Sequence, residues 1–265
     1  MLKTAIYKGA KVNYSKKGNS KRVVVLLHGF LENYKVWNDY IKVLSKYNTV
    51  YAIDLPGHGD SDCIGYIHTM EEMAGCVKQV LIENKKRKAV IIGHSLGGYV
   101  ALAFGDIYPD LLNGLCLFNS TAKSDSQEKV KLRDRAIEVV KRNHEIFLKE
   151  AIPNLFVTKN TPALRGAVKR VLNMALNTSQ QGILASLEGM KIRPNREIIL
   201  RFAPYPVLCI AGKNDKVIRW RDLKAQSDVC ENGRFYLSEK GGHMCIYEDK
   251  YPCLKILEKF IIECY

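Results

Sequence analysis

Apolar residues in this chain come in blocks. Val23–Leu27 is an unbroken, β-branched run, the pattern of a strand covered on both faces. Thr49–Leu55, Lys88–Ile92, Leu115–Phe118 and Val207–Ala211 repeat it, and Arg234–Leu237 is a shorter version. Between these runs apolar residues recur every third or fourth position, over Tyr34–Tyr47, Met70–Asn84, Leu96–Tyr108, Trp220–Val229 and Lys250–Glu263. That is the spacing of a helix with one buried face. Strand and helix in alternation predict an α/β fold: a mostly parallel sheet, helices on both faces, right-handed crossovers.

The rhythm stops between Thr121 and Ala203. No strand run occurs there; charged helical patterning fills the stretch, punctuated by Pro153, Pro162 and Pro194. The expectation is an all-helical insertion, 121–203, within a core made of residues 1–120 and 204–265.

Composition adds limits. With 265 residues, 47% of them hydrophobic, the chain can bury a large core and does not read as disordered. No apolar run reaches the roughly 20 residues of a membrane span. Met1–Tyr14 lacks the apolar stretch of a signal peptide, so the expected location is cytoplasmic. The eight cysteines form no Cys-x-x-Cys pair, and several sit inside apolar runs, as in Leu115-Cys116-Leu117 and Leu208-Cys209-Ile210. They read as free, buried thiols, with no metal site and no cofactor expected.

The net charge of +14 is concentrated: residues 121–203 carry sixteen Lys and Arg against eight Asp and Glu. A basic insertion suits either a plainly solvated surface or an anionic partner, such as an acidic carrier protein or an acid-bearing substrate. Nucleic acid is not expected, since no basic-aromatic motif of a known type is present.

The sharpest motif is Gly93-His94-Ser95-Leu96-Gly97, followed by Gly98. As a pattern, G-x-S-x-G arises by chance in a chain of this length on the order of one time in ten. Its context is more specific, because it joins an apolar run directly to a helical pattern. A serine at the apex of such a strand–turn–helix elbow projects its hydroxyl above the sheet, and the flanking glycines let the backbone turn that tightly. Ser95 is the candidate nucleophile.

A serine hydroxyl needs a base. His243 follows the candidate strand 234–237 in Lys240-Gly241-Gly242-His243, a loop suited to presenting a side chain over the sheet. Asp215 follows the run Val207–Ala211 and is the candidate orienting carboxylate, with Asp222, inside the next predicted helix, as the fallback. The chain order Ser95, Asp215, His243 is that of one fold using such an elbow. An oxyanion needs two N–H donors. Leu96, after the nucleophile, supplies one, and Phe30, in His28-Gly29-Phe30 after the first run, supplies the other. His28 is placed to shape that turn. His94 flanks the nucleophile without an assigned role, and His68 and His144 read as ordinary surface or helix residues.

These residues, with Asp54-Leu55-Pro56-Gly57-His58-Gly59-Asp60-Ser61, resemble the α/β-hydrolase superfamily along nearly the whole chain, least so in the insertion. The resemblance is to its Ser-Asp-His branch with a helical cap, and within that to small carboxylesterases of the pimeloyl-carrier-protein methyl esterase type and to a lyase of menaquinone synthesis. It implies an eight-stranded core, a lid formed by 121–203, and no cofactor. Ser95 sets the chain apart from the dehalogenases and epoxide hydrolases of the superfamily, which carry Asp at the elbow. Three functions follow as expectations. The first is hydrolysis of a carboxylic ester or thioester through an acyl-enzyme on Ser95, acting on a small-molecule acyl substrate. The second is a carbon–carbon hydrolase or lyase using the same triad on an anionic substrate. The third, a non-catalytic binder, would call for a missing triad member, and none is missing.

Overall fold

The computed structural model describes residues 1–157 and 161–265. Residues 158–160 of the predicted insertion lie outside it. Each of the six apolar runs forms a strand: β3 Val23–Leu27, β4 Thr49–Ile53, β5 Ala89–His94, β6 Leu112–Phe118, β7 Val207–Gly212 and β8 Gly233–Ser238. β3 to β7 are buried along nearly their whole length, which is why their sequences show no alternation. All six run parallel.

Two further strands, β1 (Leu2–Tyr7) and β2 (Ala10–Lys17), escape the pattern of apolar runs. They form an antiparallel hairpin at one edge, giving the order β1-β2-β4-β3-β5-β6-β7-β8. Only part of the hairpin is covered, through Ala5, Val12 and Tyr14, and lysines occupy much of the remainder. An edge strand needs no continuous apolar run. Lys8 and Gly9 both have positive φ, 50° and 85°, as a two-residue hairpin turn requires.

The sheet is sandwiched by α1 (Asn38–Leu44), α2 (Met70–Glu83), α3 (Leu96–Ile107), α8 (Trp220–Asp228) and α10 (Lys250–Glu263), the last preceded by the one-turn α9 (Cys245–Glu248). The predicted helix 34–47 is shorter than its periodicity suggests. Tyr34–Trp37 is a tighter 3₁₀ turn, capped by the Asn33 side chain, and only then does α1 begin. All eight cysteines are free thiols.

Between β6 and β7 the described residues form four helices: α4 (Gln127–Asn154), α5 (Pro162–Leu176), α6 (Gln180–Ile192) and α7 (Glu197–Arg201). The Ser126, Thr161 and Ser179 side chains cap the first three. α4 bends at Asn143, whose φ of −159° and ψ of 93° leave the helical region. The Asn143 side-chain oxygen accepts the Ile146 N–H at 3.1 Å, so the bend is in effect an internal N-cap that restarts the helix. The segment is fastened where it returns to the sheet. Buried Arg196 donates to Asp106 at 3.1 Å and pairs with Glu71.

Candidate active site

The C-terminal ends of the parallel strands carry every group of interest. β5 ends at His94, and Ser95 turns the chain into α3. Ser95 has φ 48° and ψ −112°, a conformation that strains any residue with a side chain. Packing holds it there: the Ser95 N–H donates to the Phe118 carbonyl at 3.0 Å and the Ser120 hydroxyl to the Ser95 carbonyl at 2.8 Å. The flanking glycines are needed for space. A methyl group on Gly93 would overlap the Gly97 carbonyl, and one on Gly97 would overlap that of Leu27.

The sequence-predicted residues meet above this turn. His243 Nε2 lies 3.0 Å from Ser95 Oγ, and His243 Nδ1 lies 2.9 Å from Asp215 Oδ2. A carboxylate only accepts, so Nδ1 holds the proton and Nε2 faces the serine hydroxyl as an acceptor. Asp215 is buried and saturated: Oδ1 accepts the N–H groups of Val217 and Ile218, and Oδ2 also accepts from Asn119 Nδ2. Burial alone would raise its pKa. The neighbouring His243 and these donors outweigh burial and keep the carboxyl below its ordinary range. Asp222 lies in α8, half-exposed and facing Lys123, away from His243. Among the described residues, neither the Phe30 nor the Leu96 N–H donates to a protein acceptor. Both are free for an external oxygen.

Four residues without a role in the motif reading belong to the site. Glu32 and His94 form a buried pair, each 1% exposed, at 3.1 Å through His94 Nδ1. His94 Nε2 lies 3.0 Å from the His243 carbonyl, and Glu32 Oε2 also accepts the Gly29 N–H at 2.6 Å. Both ring nitrogens of His94 therefore face acceptors, which makes it an imidazolium. Burial opposes that charge, but the Glu32 carboxylate beside it holds the His94 pKa above the ordinary value. The same pairing lowers that of Glu32 against its burial. One ion pair thus ties the Gly29-Phe30 loop, the elbow and the His243 loop together. Asn119, at positive φ after β6, donates to Asp215 and to the Gly242 carbonyl at 3.0 Å. Glu248 accepts the Gly242 N–H at 2.7 Å and the Val157 N–H, just after α4, at 2.6 Å. Each is a lone polar residue with no spacing rule. Their one signal is position: Glu32 and Asn119 follow buried strands at the edge that carries Ser95.

His28 accepts the Leu55 N–H at 2.9 Å and faces the Gly29 carbonyl at 2.8 Å, bridging two loops beside Phe30. His68 departs from expectation. It is fully buried rather than on the surface, and it accepts the Ile64 N–H at 3.2 Å where α6 crosses the loop before α2. His144 lies in α4, part-exposed, as expected.

A cavity of about 140 Å³ opens over Ser95 and His243. Phe30 and Tyr99 wall it from the sheet side, and Phe147, Leu155 and Met190 roof it from α4, its following turn and α6. A larger polar cleft of about 850 Å³ lies between residues 33–39 and α5, but neither Ser95 nor His243 lines it. No cluster of metal-ligating side chains occurs among the described residues.

A family model described as alpha/beta hydrolase fold matches residues 22–250. The chain belongs to the α/β-hydrolase family. Among its relatives, this α/β-hydrolase is 25% identical to the pimeloyl-[acyl-carrier protein] methyl ester esterase of Wigglesworthia glossinidia brevipalpis, over 76% of this chain and 78% of that one. It is 25% identical to a putative 2-succinyl-6-hydroxy-2,4-cyclohexadiene-1-carboxylate synthase of Bacillus subtilis, over 92% of this chain and 91% of that one. A thermophilic esterase from Thermogutta terrifontis, solved with malate bound, superposes with a TM-score of 0.93 at 26% identity, covering 100% of this chain and 99% of that one. No described helix of the α/β-hydrolase is long and apolar enough to cross a membrane.

Proposed function

We propose that this α/β-hydrolase cleaves a carboxylic ester or thioester through an acyl-enzyme on Ser95. The observation that carries the reading is the unbroken relay Asp215–His243–Ser95, at 2.9 and 3.0 Å, beside two unengaged N–H groups. In this reading Ser95 Oγ attacks the acyl carbon while His243 Nε2 takes its proton. The Phe30 and Leu96 N–H groups receive the oxygen that becomes negative. As the tetrahedral intermediate collapses, His243 returns the proton to the leaving alcohol or thiol. Water, activated by the same nitrogen, then frees the acid. Asp215 keeps the ring in the productive tautomer and stabilises the imidazolium. Segment 121–203 acts as a cap that closes the cavity against water. Its basic helices favour an acidic carrier protein as the partner that delivers substrate, in which case affinity falls as salt rises.

A second reading is a carbon–carbon hydrolase or lyase acting on an anionic substrate. It is favoured by Arg133, a cap residue that lines the cavity, and by the malate in the Thermogutta esterase. The test is labelling with a fluorophosphonate, comparing wild type with Ser95→Ala, alongside hydrolysis of p-nitrophenyl esters of several chain lengths. Labelling that vanishes in the variant, with ester turnover in the wild type, supports the esterase reading. Labelling without turnover moves the assignment to the second reading, and an unlabelled wild type removes Ser95 as nucleophile.

A further inference from the structure

The cap brings an excess of positive charge to the edge of the cavity. Asp125, 1% exposed on its side chain, is shared by two guanidiniums: Arg133 pairs with it through Nε, and Arg193 through NH2 at 2.8 Å. Burial pushes the Asp125 pKa up, but hydrogen bonds from Arg133 and Arg193 outweigh it and keep the carboxyl ionised. Two cations therefore share one anion. Arg193 is spent elsewhere. It donates to the carbonyls of Met190 and Lys123, at 2.7 and 3.1 Å, and its guanidinium lies 4.0 Å from the Tyr99 ring centroid. Arg133 is not. Besides Asp125, its only acceptor among the described residues is the Met190 thioether sulfur, 3.4 Å from NH1.

A thioether is a weak acceptor for a guanidinium N–H. Arg133 and Met190 line the same cavity as Ser95 and His243. The other charges at the cavity are already matched. Glu32 and His94 neutralise each other, and Asp215 lies behind the His243 ring with its oxygens engaged by His243, Asn119, Val217 and Ile218. Apolar groups, Phe147 and Leu155, make up the roof. The layout is a short apolar passage with a nucleophile in it and an under-used fork of N–H donors beside it.

We propose that Arg133 anchors a carboxylate on the substrate, so that the enzyme acts on short hemiesters or hemithioesters of dicarboxylic acids. The proposal rests on the Ser95 hydrolase reading and narrows its substrate class. The substrate carboxylate replaces the Met190 sulfur as the partner of NH1 and restores one anion per guanidinium, in the planar geometry that Arg matches best. The acyl chain is short because a cavity near 150 Å³ holds a molecule only about as large as benzene. The neighbouring ester carbonyl then lies over Ser95.

Two measurements test this. Glutarate binding, followed by calorimetry with wild type and with Arg133→Met, does not depend on any chemistry at Ser95. The expected result is binding by the wild type that weakens roughly tenfold or more in the variant, the effect of losing a charge-assisted hydrogen bond, with Arg133→Lys in between. The second is the ratio of kcat/KM for monomethyl glutarate over its neutral isostere, methyl 5-methylhexanoate. The ratio is expected to exceed about ten in the wild type and to approach one in Arg133→Met, and a common loss from altered packing cancels in it. Equal glutarate affinity in wild type and Arg133→Met, or a wild-type preference for the neutral ester, overturns the proposal. Arg133-dependent glutarate binding without cleavage of either ester supports the anchor and counts against the hydrolase reading instead.

Discussion

Replacing Glu32 with Gln should damage the site without touching the three groups of the relay. The carboxylate accepts from Gly29 and from His94, and both members of the pair are 1% exposed. Without that charge nothing holds the buried His94 as an imidazolium. A neutral ring has one N–H. If the amide oxygen introduced at position 32 keeps the Gly29 N–H and the His94 Nδ1–H, Nε2 faces the His243 carbonyl lone pair to lone pair; if the amide NH2 turns to Nδ1, it meets the Gly29 N–H instead. Breaking one side of a buried ion pair costs about 3–5 kcal/mol. At the lower end this is a fall in Tm of roughly 6–12 °C for a chain of this size. Because the pair also holds Gly29 and the His243 backbone, displacement of roughly 1 Å at either loop lowers kcat by up to about a hundredfold. Thermal melts and kcat on a p-nitrophenyl ester measure both. A pH series isolates the mechanism from simple misfolding. The folded His94 pKa is raised, so above pH 6.5 the native state keeps a proton that the unfolded chain releases. The His94 contribution is full below that point and is lost as pH rises through the folded pKa, by at most about 1.4 kcal/mol per pH unit. Glu32→Gln should lack this alkaline slope. A variant with Tm within about 1 °C of wild type, or with the slope intact, refutes the role assigned to the pair.

Further expectations follow from the same geometry. Asp215→Asn removes the acceptor that fixes the His243 tautomer and should cut kcat by about 10⁴ in steady-state assays, while fold, by circular dichroism, persists. Ser95→Gly should abolish turnover and raise Tm by roughly 2–4 °C, since glycine relieves the strained backbone at φ 48° and gives back part of the gain through greater freedom in the unfolded chain. Acid should unfold the protein early. His28, His58 and His68 are buried with lowered pKa values, through burial, to about 3 for His58 and about 4 for His68. Their stabilisation is present above pH 6.5 and is lost as pH falls, each by at most about 1.4 kcal/mol per unit. Denaturant melts between pH 7 and 5 should show a steep decline, and a flat profile would remove their buried neutral state.

How legible the fold was depended on burial. Strands covered on both faces, such as Val23–Leu27, announce themselves as apolar runs, and the relay residues sit at the ends of such runs, where loops must face one common edge. The β1–β2 hairpin was illegible because an edge with limited cover spreads its few buried residues among lysines. Ser95, Asp215 and His243, which the fold brings within hydrogen-bond distance, could be picked out as candidates because the chemistry proposed for them fixes residue type and chain order together. Glu32, His94 and Asn119 act by reaching across between loops far apart in sequence: Glu32 to His94 spans 62 residues, and Asn119 to Asp215 spans 96. No local spacing encodes such a pair. His68 failed as a surface residue for a related reason, since its burial comes from α6, more than a hundred residues away.

The Glu248 carboxylate, with one oxygen on Gly242 and the other on Val157, bears on how this protein can be recombined. Helical insertions between two strands look like exchangeable modules, and grafting a relative's helices onto this sheet is a natural way to seek new specificity. Here the graft would carry away one of the two N–H groups that keep a partly buried acid satisfied. The acid already has a raised pKa from burial, so losing a donor pushes it toward protonation and loosens Gly242, the residue before His243. A functional chimera therefore needs its first junction placed after Val157, so that α4 and the Val157 N–H stay with the host sheet, or a matching exchange of residue 248 along with the donor helices.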